Sequence, residues 1–278
     1  MINILYCGNS YVFDGVLTSM LSIFKRSKTK EAFNFIILTM DVSYLNPKYT
    51  TINSDMVAFL DKVAKDYNPL NSVKSFDVTD YYLNEFKGSP NENPYCSPYT
   101  LIRLFADKID IIPDKFLYLD CDIMFNKDIE LLYNIDISEY EYAACNDHYG
   151  KFLINPRYIN AGVILFNMAK CKETGLFEKA RGWIKKKHLP FADQSAIIRS
   201  TTKFKLLPQY FNNQRTMNKK TVVRHFTKRL YYLPYPHTDN IKQWHIYKVH
   251  KLLKYDQFDD ILFEYLYLSG VYQRRNQG

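Results

Sequence analysis

The feature that most constrains the fold is a series of short apolar runs of strand length, separated by segments with helical periodicity. The runs cover residues 2–7, 33–39, 72–78, 116–120, 142–145, 159–167 and 221–226. Most of them are apolar throughout rather than alternating, so we expect strands whose two faces are both covered by helices. Strands that alternate with helices predict an α/β fold with a largely parallel sheet, whose ligand site lies at the carboxyl ends of the strands.

Capping signals mark several of the intervening helices. The predicted helices cover residues 16–26, 54–67, 97–109, 172–187, 194–200 and 256–268. Ser54 and Ser97 are the predicted N-caps of two of them, with Pro98 at the first helical position of the second. Asp193 precedes residues 194–200 and is a candidate N-cap there.

The five cysteines are widely spaced and form no CxxC pair. This usage predicts neither a disulfide framework nor a zinc site, and it favours a reducing compartment. The chain opens with the strand-like sequence MINILYCGNS, which lacks the charged and apolar regions of a signal peptide. No run reaches the roughly 18 apolar residues that a membrane span needs. We therefore expect a cytoplasmic protein.

Positive charge is concentrated in the last quarter of the chain. Residues 215–278 carry 12 Lys and Arg against 5 Asp and Glu, whereas residues 1–214 carry 25 against 24. Within residues 215–255 the basic side chains are interleaved with aromatic ones, and Asp239 is the single acid. This pattern predicts an anionic partner, which would be phosphate, nucleic acid or a lipid surface. The alternative is a solvated basic face that keeps the protein soluble.

Two aspartates interrupt one apolar run, FLYLDCDIMF at residues 116–125. In an extended segment Asp120 and Asp122 would face the same side, with Cys121 pointing away. Two ionised carboxylates repel each other at low dielectric unless a cation lies between them or one is protonated. A hard dication such as Mg²⁺ or Mn²⁺ suits oxygen ligands and keeps positions for phosphate. The alternative is an N-cap plus a surface acid where the strand enters solvent.

Three functional classes could use this pair of aspartates. A haloacid-dehalogenase-type phosphotransferase has an Asp-x-Asp after an apolar strand, but usually on the first strand and with Thr or Val where this chain has Met124. A non-enzymatic protein that binds nucleic acid or membrane would use the basic segment and leave the aspartates unexplained. A nucleotide-sugar transferase would use the metal to hold a diphosphate leaving group.

The surroundings of the aspartates resemble glycosyltransferase family 8, the retaining GT-A enzymes that include bacterial lipopolysaccharide galactosyl- and glucosyltransferases and glycogenin. The similarity rests on residues 103–133, on NAGVILFN at 160–167 and on ADQSAI at 192–197, which follow in the family's order and approximate spacing. It implies a Rossmann-like GT-A domain over residues 1–250, with a basic, aromatic C-terminal extension. The helical tail at 251–278 is expected to associate with a membrane or with the acceptor. The implied activity is transfer of galactose or glucose from a UDP-sugar to a saccharide or glycolipid acceptor.

The resemblance also implies a metal centre and a catalytic group. Mn²⁺ or Mg²⁺ would be held by Asp120, Asp122 and His225, although a lone histidine in an apolar strand is otherwise more typical of a protein core. The implied catalytic residues are Arg103, Asp193 and Gln194, which would lie against the donor sugar.

The remaining implied contacts form the rest of the UDP-sugar site. Asn160, Ala161 and Gly162 would lie beside the sugar, and Cys121 belongs to the same donor-binding set. The first loop would hold uridine through Tyr6, Cys7, Asn9 and Tyr11. Lys242 is the first candidate for the diphosphate lysine, and Lys228 is the second.

The chain departs from the family pattern at four places. Cys7-Gly8-Asn9-Ser10 stand where many members have an acidic residue, and Lys228 stands where a glycine is common. Lys242-Gln243-Trp244 is the nearest counterpart of a Lys-Pro-Trp sequence, and ADQSAI lacks the Leu-Asn that commonly follows it. The basic segment around Trp244 predicts peripheral contact with an anionic membrane at its cytoplasmic face and a lipid-linked acceptor. The family resemblance implies a role in lipopolysaccharide biosynthesis. No nucleic-acid partner is expected.

Overall fold

The computed structural model describes residues 1–94, 97–231, 233 and 235–275. The strands, in chain order, are β1 (Ile2–Cys7), β2 (Phe33–Thr39), β3 (Ser72–Asp77), β4 (Lys115–Leu119), β5 (Ile123–Phe125), β6 (Tyr142–Asn146), β7 (Ile159–Asn167), β8 (Phe204–Leu207), β9 (Val223–His225), β10 (Arg229–Tyr231) and β11 (His237–Asp239).

The α-helices are α1 (Phe13–Arg26), α2 (Ser54–Tyr67), α3 (Thr79–Phe86), α4 (Glu130–Tyr133), α5 (Gly150–Leu153), α6 (Met168–Thr174), α7 (Leu176–Lys186), α8 (Ala192–Ser200), α9 (Ile246–Lys248) and α10 (Asp259–Arg275). Short 3-10 helices occupy Pro98–Thr100 and Ile102–Lys108, ahead of β4.

The chain divides into two compact units, which we describe separately. The first unit comprises Met1–Tyr11, Glu31–Asp120 and Ile135–Pro208, and the second comprises Val12–Lys30, Cys121–Asn134 and Gln209–Gly278. The expected division into a domain over 1–250 and a helical tail over 251–278 stays a prediction.

The first unit is built around a seven-stranded sheet, counted over the described residues, with the order β3-β2-β1-β4-β7-β6-β8. β7 runs antiparallel to both of its neighbours, whereas the other pairings in the sheet are parallel. This arrangement confirms the predicted α/β class with a largely parallel sheet. Because β7 is reversed, its first residues lie at the carboxyl end of β4, where the Asp120 N–H donates to the Gly162 carbonyl at 2.8 Å.

The continuous apolar runs are buried in this sheet. β4 and β7 pair through Phe116 and Phe166, whose rings stack with their centroids 5.1 Å apart. Both rings are almost fully buried, as are Leu117 and Leu165. Removing these side chains from water favours the sheet, and the polar residues that follow the strands mark the edge where a ligand site can form.

The N-terminal caps and the types of three predicted helices differ in part from the predictions. The N-cap of α2 is Asn53, not Ser54, and its side-chain oxygen accepts a hydrogen bond from the Asp55 N–H at 2.7 Å. Ser97 caps its segment as predicted, but that segment forms 3-10 helices rather than one α-helix. Asp193 lies inside the first turn of α8, and the N-cap position belongs to Phe191.

The second unit brings together α1, the turn that contains Cys121 and Asp122, and the chain from residue 209 onward. β5 pairs antiparallel with β9, which places Ile123 opposite His225. α10 is joined to α1 by the Arg26–Asp260 ion pair at 2.7 Å and by the Phe13 and Tyr272 rings, 4.7 Å apart.

Cys7, Cys121, Cys145 and Cys171 form no disulfide. Cys96 lies outside the described residues, as do Tyr232 and Pro234 of the basic, aromatic segment. Among the helices that the structure describes, none has the length and hydropathy needed to cross a membrane.

Candidate functional site

The two aspartates of the motif lie in a turn between β4 and β5. β4 ends at Leu119 and β5 begins at Ile123. The expectation of an extended segment is therefore wrong at this point. The division between the units falls directly after Asp120, so that Asp120 belongs to the first unit and Asp122 to the second.

In the first unit, Arg103 lies at the centre of a group of buried polar side chains that we call the Arg103 network (Arg103, Tyr118, Asp120 and Asp193). Its guanidinium donates to Asp120 Oδ1 at 3.1 Å and to the Ala161 carbonyl at 2.5 Å, and its Nε lies 3.3 Å from Asp193 Oδ2. The Tyr118 ring lies 3.7 Å below the guanidinium carbon. With 2% of its surface exposed, Arg103 is a buried residue and not a solvated arginine on a helix surface.

The charged groups of this network shift one another's pKa. Burial raises the pKa of Asp193, with the Arg103 guanidinium opposing that shift and the Asp120 carboxylate adding to it. For Arg103, burial alone would lower the pKa, but Tyr118, Asp193 and Asp120 outweigh it and hold the pKa above its ordinary value. The network therefore contains a permanently charged guanidinium between two carboxylates, one of which takes up protons more readily than a free aspartate.

Gln194 is held by the first residues of β7. Its side-chain Oε1 accepts a hydrogen bond from the Ala161 N–H at 3.0 Å. The residue two positions before Gln194, Ala192, has a φ of 27°, in the left-handed region that residues other than glycine rarely adopt. Such strained positions are concentrated at functional sites.

Sequence reasoning missed Asp147 and Tyr158, which contact the predicted residues. Asp147 Oδ2 accepts a hydrogen bond from the Asn160 side chain at 3.0 Å, and Asn160 Oδ1 accepts one from the Gly162 N–H at 3.1 Å. The Tyr158 hydroxyl lies 2.7 Å from Ser195 Oγ. Asp147 follows an apolar strand in the same way that Asp120 does, so the same signal could have identified it.

The first loop follows β1 in the first unit. Tyr6 and Cys7 are buried, and Tyr11 is exposed. The Asn9 side chain shapes the loop, because its Oδ1 accepts from the Tyr11 N–H at 3.1 Å and its Nδ2 donates to the Lys48 carbonyl at 3.0 Å. Burial raises the pKa of the Cys7 thiol well above its ordinary value, against the opposing Arg103 charge.

In the second unit, Asp122 lies between two basic side chains, and we call this group the Asp122 cluster (Asp122, His225 and Lys242). Asp122 Oδ1 is 3.0 Å from His225 Nε2, and Oδ2 is 2.5 Å from Lys242 Nζ. Burial alone would raise the pKa of Asp122, but Lys242 and His225 hold it well below its usual range. Thus Asp122 is ionised at neutral pH.

The turn that holds Asp122 is fixed by main-chain contacts. The Gln243 amide donates to the Cys121 carbonyl at 2.8 Å, and the Phe226 N–H donates to the Asp122 carbonyl at 2.8 Å. A Cβ on Gly15 would lie 2.4 Å from the Cys121 oxygen, so that only glycine fits at this position of α1. Lys228 lies in the chain between β9 and β10 and is exposed.

Asp122 and His225 fit a divalent cation in geometry and in chemistry. Their facing atoms are 3.0 Å apart, about the separation of two adjacent ligands of an octahedral ion with bonds of about 2.1 Å. His225 Nδ1 lies 3.0 Å from Asn212 Oδ1, the type of second hydrogen bond that orients metal-binding imidazoles. A carboxylate oxygen and an imidazole nitrogen both suit a first-row dication.

Comparison with known proteins assigns the family. Residues 3–246 match the profile described as Glycosyl transferase family 8. The chain belongs to glycosyltransferase family 8. A Haemophilus influenzae protein provisionally named as a glycosyltransferase is 30% identical over 228 residues, which are 76% of this chain and 62% of that protein. The chain therefore spans less than two thirds of this relative's length.

Solved structures share the fold across almost the whole chain. A galactosyltransferase, LgtC, solved in complex with donor and acceptor sugar analogues, has a TM-score of 0.67 and 17% identity, covering 95% of this chain and 96% of that chain. The bifunctional glycosyltransferase WbbM has a TM-score of 0.71 and 16% identity, covering 98% and 51%. At these identities the likeness shows the fold alone, and it confirms the predicted GT-A architecture.

Proposed function

We propose that this protein is a metal-dependent, retaining glycosyltransferase that moves a hexose, galactose or glucose, from a UDP-sugar to a saccharide or glycolipid acceptor. The observation that carries the proposal is the 3.0 Å pairing of Asp122 with His225, two residues far apart in the sequence that offer a dication a carboxylate oxygen and an imidazole nitrogen. Family membership supports the reaction class, and the sequence neighbour Asp120 is the proposed third ligand of Mn²⁺ or Mg²⁺.

The first unit would hold the donor sugar. Asp193 accepts hydrogen bonds from sugar hydroxyls, and Arg103 keeps it in place and offsets its charge. Gln194 presents its amide toward the anomeric carbon, because its Oε1 is anchored on the Ala161 N–H. Asn160, Ala161 and Gly162 border the sugar, where a glycine lets the main chain approach closely.

The departing UDP must be stabilised as negative charge develops on its diphosphate. The bound dication would act as a Lewis acid toward that charge. Lys242 adds a flexible ammonium group beside Asp122 and is the proposed diphosphate lysine, because its Nζ already lies in the cluster. Lys228, which is exposed, is the second candidate.

We propose same-face attack by the acceptor hydroxyl, with a phosphate oxygen of the donor as the base. An amide is a weaker nucleophile than a carboxylate, so that a covalent intermediate on Gln194 is disfavoured. The Asp193 carboxylate faces Arg103, and we assign it to binding of the sugar rather than to nucleophilic attack. A glycosyl adduct trapped on Gln194 or Asp193 would contradict this mechanism.

The uridine would lie on the first loop. Tyr6, Cys7, Asn9 and Tyr11 are the proposed contacts, with the exposed Tyr11 ring available for stacking on a base. Cys121 contributes its main chain at the diphosphate, held there by Gln243.

The basic, aromatic segment bears on the acceptor and on the location of the protein. The basic, aromatic segment from residue 215 supports peripheral contact with an anionic membrane at its cytoplasmic face, where a lipid-linked saccharide would be the acceptor. Lipopolysaccharide biosynthesis is the proposed setting, and nucleic acid is not proposed as a partner.

The test is a screen of UDP-sugars for slow, metal-dependent hydrolysis, which needs no acceptor. We expect hydrolysis of UDP-galactose or UDP-glucose with Mn²⁺ and a loss of at least about 100-fold in Asp122→Asn. Asp66→Asn changes an exposed aspartate on α2 and serves as the control. If chelator-stripped protein binds neither Mn²⁺ nor UDP in calorimetry, the proposal is wrong.

The competing phosphotransferase would use Asp120 as its nucleophile. Asp120 Oδ1 accepts hydrogen bonds from Arg103 and from the Tyr118 hydroxyl at 2.8 Å, which lowers its nucleophilicity. We expect no phosphate release from a generic phosphomonoester. UDP with Mn²⁺, and not an oligonucleotide, should raise the melting temperature.

A further inference from the structure

Three consecutive apolar side chains project into solvent from the connection between β6 and β7. Phe152 is 77% exposed, Leu153 80% and Ile154 52%, and we call these three residues the apolar tip. Single exposed apolar residues are common on protein surfaces, but a contiguous exposed group is typical of a binding surface.

Hydrogen bonds and ring packing fix the base of this connection, and the tip points into solvent. Asp147 Oδ1 accepts hydrogen bonds from the N–H groups of Tyr149 and Gly150 at 3.0 and 2.7 Å. Tyr158 closes the other end, where its ring would lie 2.3 Å from a Cβ on Gly150 and its hydroxyl contacts Ser195. With this base, the three side chains of the apolar tip lie exposed rather than packed in the core of the first unit.

The base of the connection also belongs to the proposed sugar site. Asp147 accepts from Asn160, and Ser195 directly follows Gln194. The apolar tip is thus fixed to the same edge of the sheet as the residues proposed to handle the sugar. A molecule that contacts both would carry an apolar part and a saccharide part.

The chain segment that carries the tip is basic. Residues 148–158 contain Lys151 and Arg157 and no acid. Residues 185–191, which reach the connection through Phe191, contain three lysines and no acid, and one of these lysines, Lys185, is paired with Glu85. Phe191 ends this second stretch, is 49% exposed, and lies with its ring 6.2 Å from that of Tyr158. An apolar projection with cations around it complements a surface of acyl chains beneath anionic headgroups.

We propose that the apolar tip inserts into the headgroup region of an anionic membrane, with the neighbouring cations on the lipid phosphates, and so presents the sugar site of the first unit to a lipid-linked acceptor. The inference deepens the proposed function, on which it rests for the identity of the acceptor. It adds a lipid contact in the first unit that is separate from the basic segment after residue 215.

The test measures partition of the full-length protein onto vesicles of phosphatidylglycerol and phosphatidylcholine at low salt. We expect Phe152→Ser combined with Leu153→Ser to lower the partition coefficient at least about tenfold, because the lost apolar area is the part that enters the lipid. Leu70→Ser removes a comparably exposed leucine elsewhere in the first unit. This control variant should bind the vesicles as the wild type does.

A second measurement reports insertion directly. In Phe152→Trp the new indole should be quenched by brominated acyl chains, whereas that of Leu70→Trp should not. The proposal is overturned if the wild-type protein ignores anionic vesicles, if the tip variant binds within threefold of the wild type, or if the added fluorescence of the Phe152→Trp variant is insensitive to the lipid. The effect of UDP and Mn²⁺ on the melting temperature of the wild-type protein is measured separately. The absence of an effect there would count against the proposed function, whereas the vesicle measurements test only the membrane contact of the tip.

Discussion

Asp120 and Asp122 are separated by one residue, yet the structure stabilises the two carboxylates in different ways. Asp120 is paired with Arg103, a guanidinium that also donates to the carbonyls of Thr100 and Ala161 and rests on the Tyr118 ring. Asp122 is paired with Lys242, which also donates to the Phe226 carbonyl at 3.2 Å, and with the imidazole of His225. The planar guanidinium of Arg103 is therefore oriented by several hydrogen bonds at once, whereas Lys242 offers Asp122 a single ammonium group on a flexible side chain.

The difference changes the argument for a metal, which begins from the repulsion between two like charges in an apolar run. The chain itself supplies a cation to each carboxylate, so that repulsion between them does not by itself require a metal. A metal is supported instead by the ligand chemistry of Asp122 and His225. Arg is suited to a permanent pairing and Lys to an exchangeable one, because the guanidinium is fixed by several simultaneous hydrogen bonds.

The largest expected effect is on Arg103. We expect Arg103→Met to lower the free energy of unfolding by about 3–5 kcal/mol, since it leaves the carboxylates of Asp120 and Asp193 buried without a counter-charge. Urea unfolding measures the change. Lys242→Met is the matched variant in the Asp122 cluster, and it should lose roughly 1–2 kcal/mol because His225 remains. Equal losses would remove the distinction between the two regions.

The second prediction concerns the turn that holds Asp122. Gly15→Ala places a Cβ 2.4 Å from the Cys121 carbonyl oxygen, which is main chain and cannot rotate away. We expect a loss of about 1–3 kcal/mol in the free energy of unfolding and weaker binding of Mn²⁺ in calorimetry.

Gly182→Ala in α7 is the control for Gly15→Ala, because nothing lies within 4 Å of the Cβ it would add. That variant should gain roughly 0.5–1 kcal/mol from the lower backbone entropy of alanine. A Gly15→Ala protein as stable as the wild type would show that the turn is mobile.

The third prediction compares the pH dependence of the two regions in chelator. The pKa of Asp122 is lowered in the folded state from an unfolded value of about 3.9. Its ionised form therefore stabilises the fold above about pH 4, and this stabilisation is lost as the pH falls toward the folded-state pKa. Asp122→Asn should flatten the acid limb of the stability profile by about 1–3 kcal/mol.

Asp193 should show the opposite sign. Its pKa is raised in the folded state, so that its contribution to stability falls as the pH rises above about 4. Relative to the wild type, Asp193→Asn should thus gain stability as the pH rises from about 3 to about 7. Urea unfolding at each pH measures both profiles, and parallel profiles for the two variants would contradict the assignment.

The smallest expected effect separates the two lysines. Lys242→Gln should weaken UDP binding in the presence of Mn²⁺ about tenfold, which corresponds to about 1.4 kcal/mol. Lys228→Gln should weaken it less, because Lys228 is exposed and lies outside the Asp122 cluster. Calorimetric titration of each variant with UDP makes the comparison. A larger loss at Lys228 would reverse the proposed roles.

The sequence predicts the sheet well where burial alone decides the structure. The runs at 2–7, 33–39 and 159–167 form β1, β2 and β7 with the same bounds, because each is apolar over most of its length and has only an asparagine at its second position and, in two runs, a polar last residue. Helix starts were less predictable. Ser54 and Asn53 are both good caps, and the backbone conformation at Asn53 rather than the residue type selected between them.

At the candidate site the sequence identified side chains but not their partners. Nothing in the local pattern around Arg103 indicates that its guanidinium reaches Asp120 and Asp193, since those contacts depend on the packing of three separate segments. The turn at Asp120–Asp122 was also missed, because two polar residues within an apolar run fit either a strand or a break. The sequence does not indicate a role for Tyr158, because the position of its ring depends on the space left by the absent side chain of Gly150.

The reversal of β7 has a consequence for how specificity can diversify. An antiparallel neighbour turns the β6–β7 connection into a hairpin-like excursion that starts and ends at the rim of the proposed sugar site. Such an excursion can lengthen, shorten or change its sequence at little entropic cost and without altering any strand pairing. New acceptors can therefore be acquired at this rim while the machinery for the donor stays as it is.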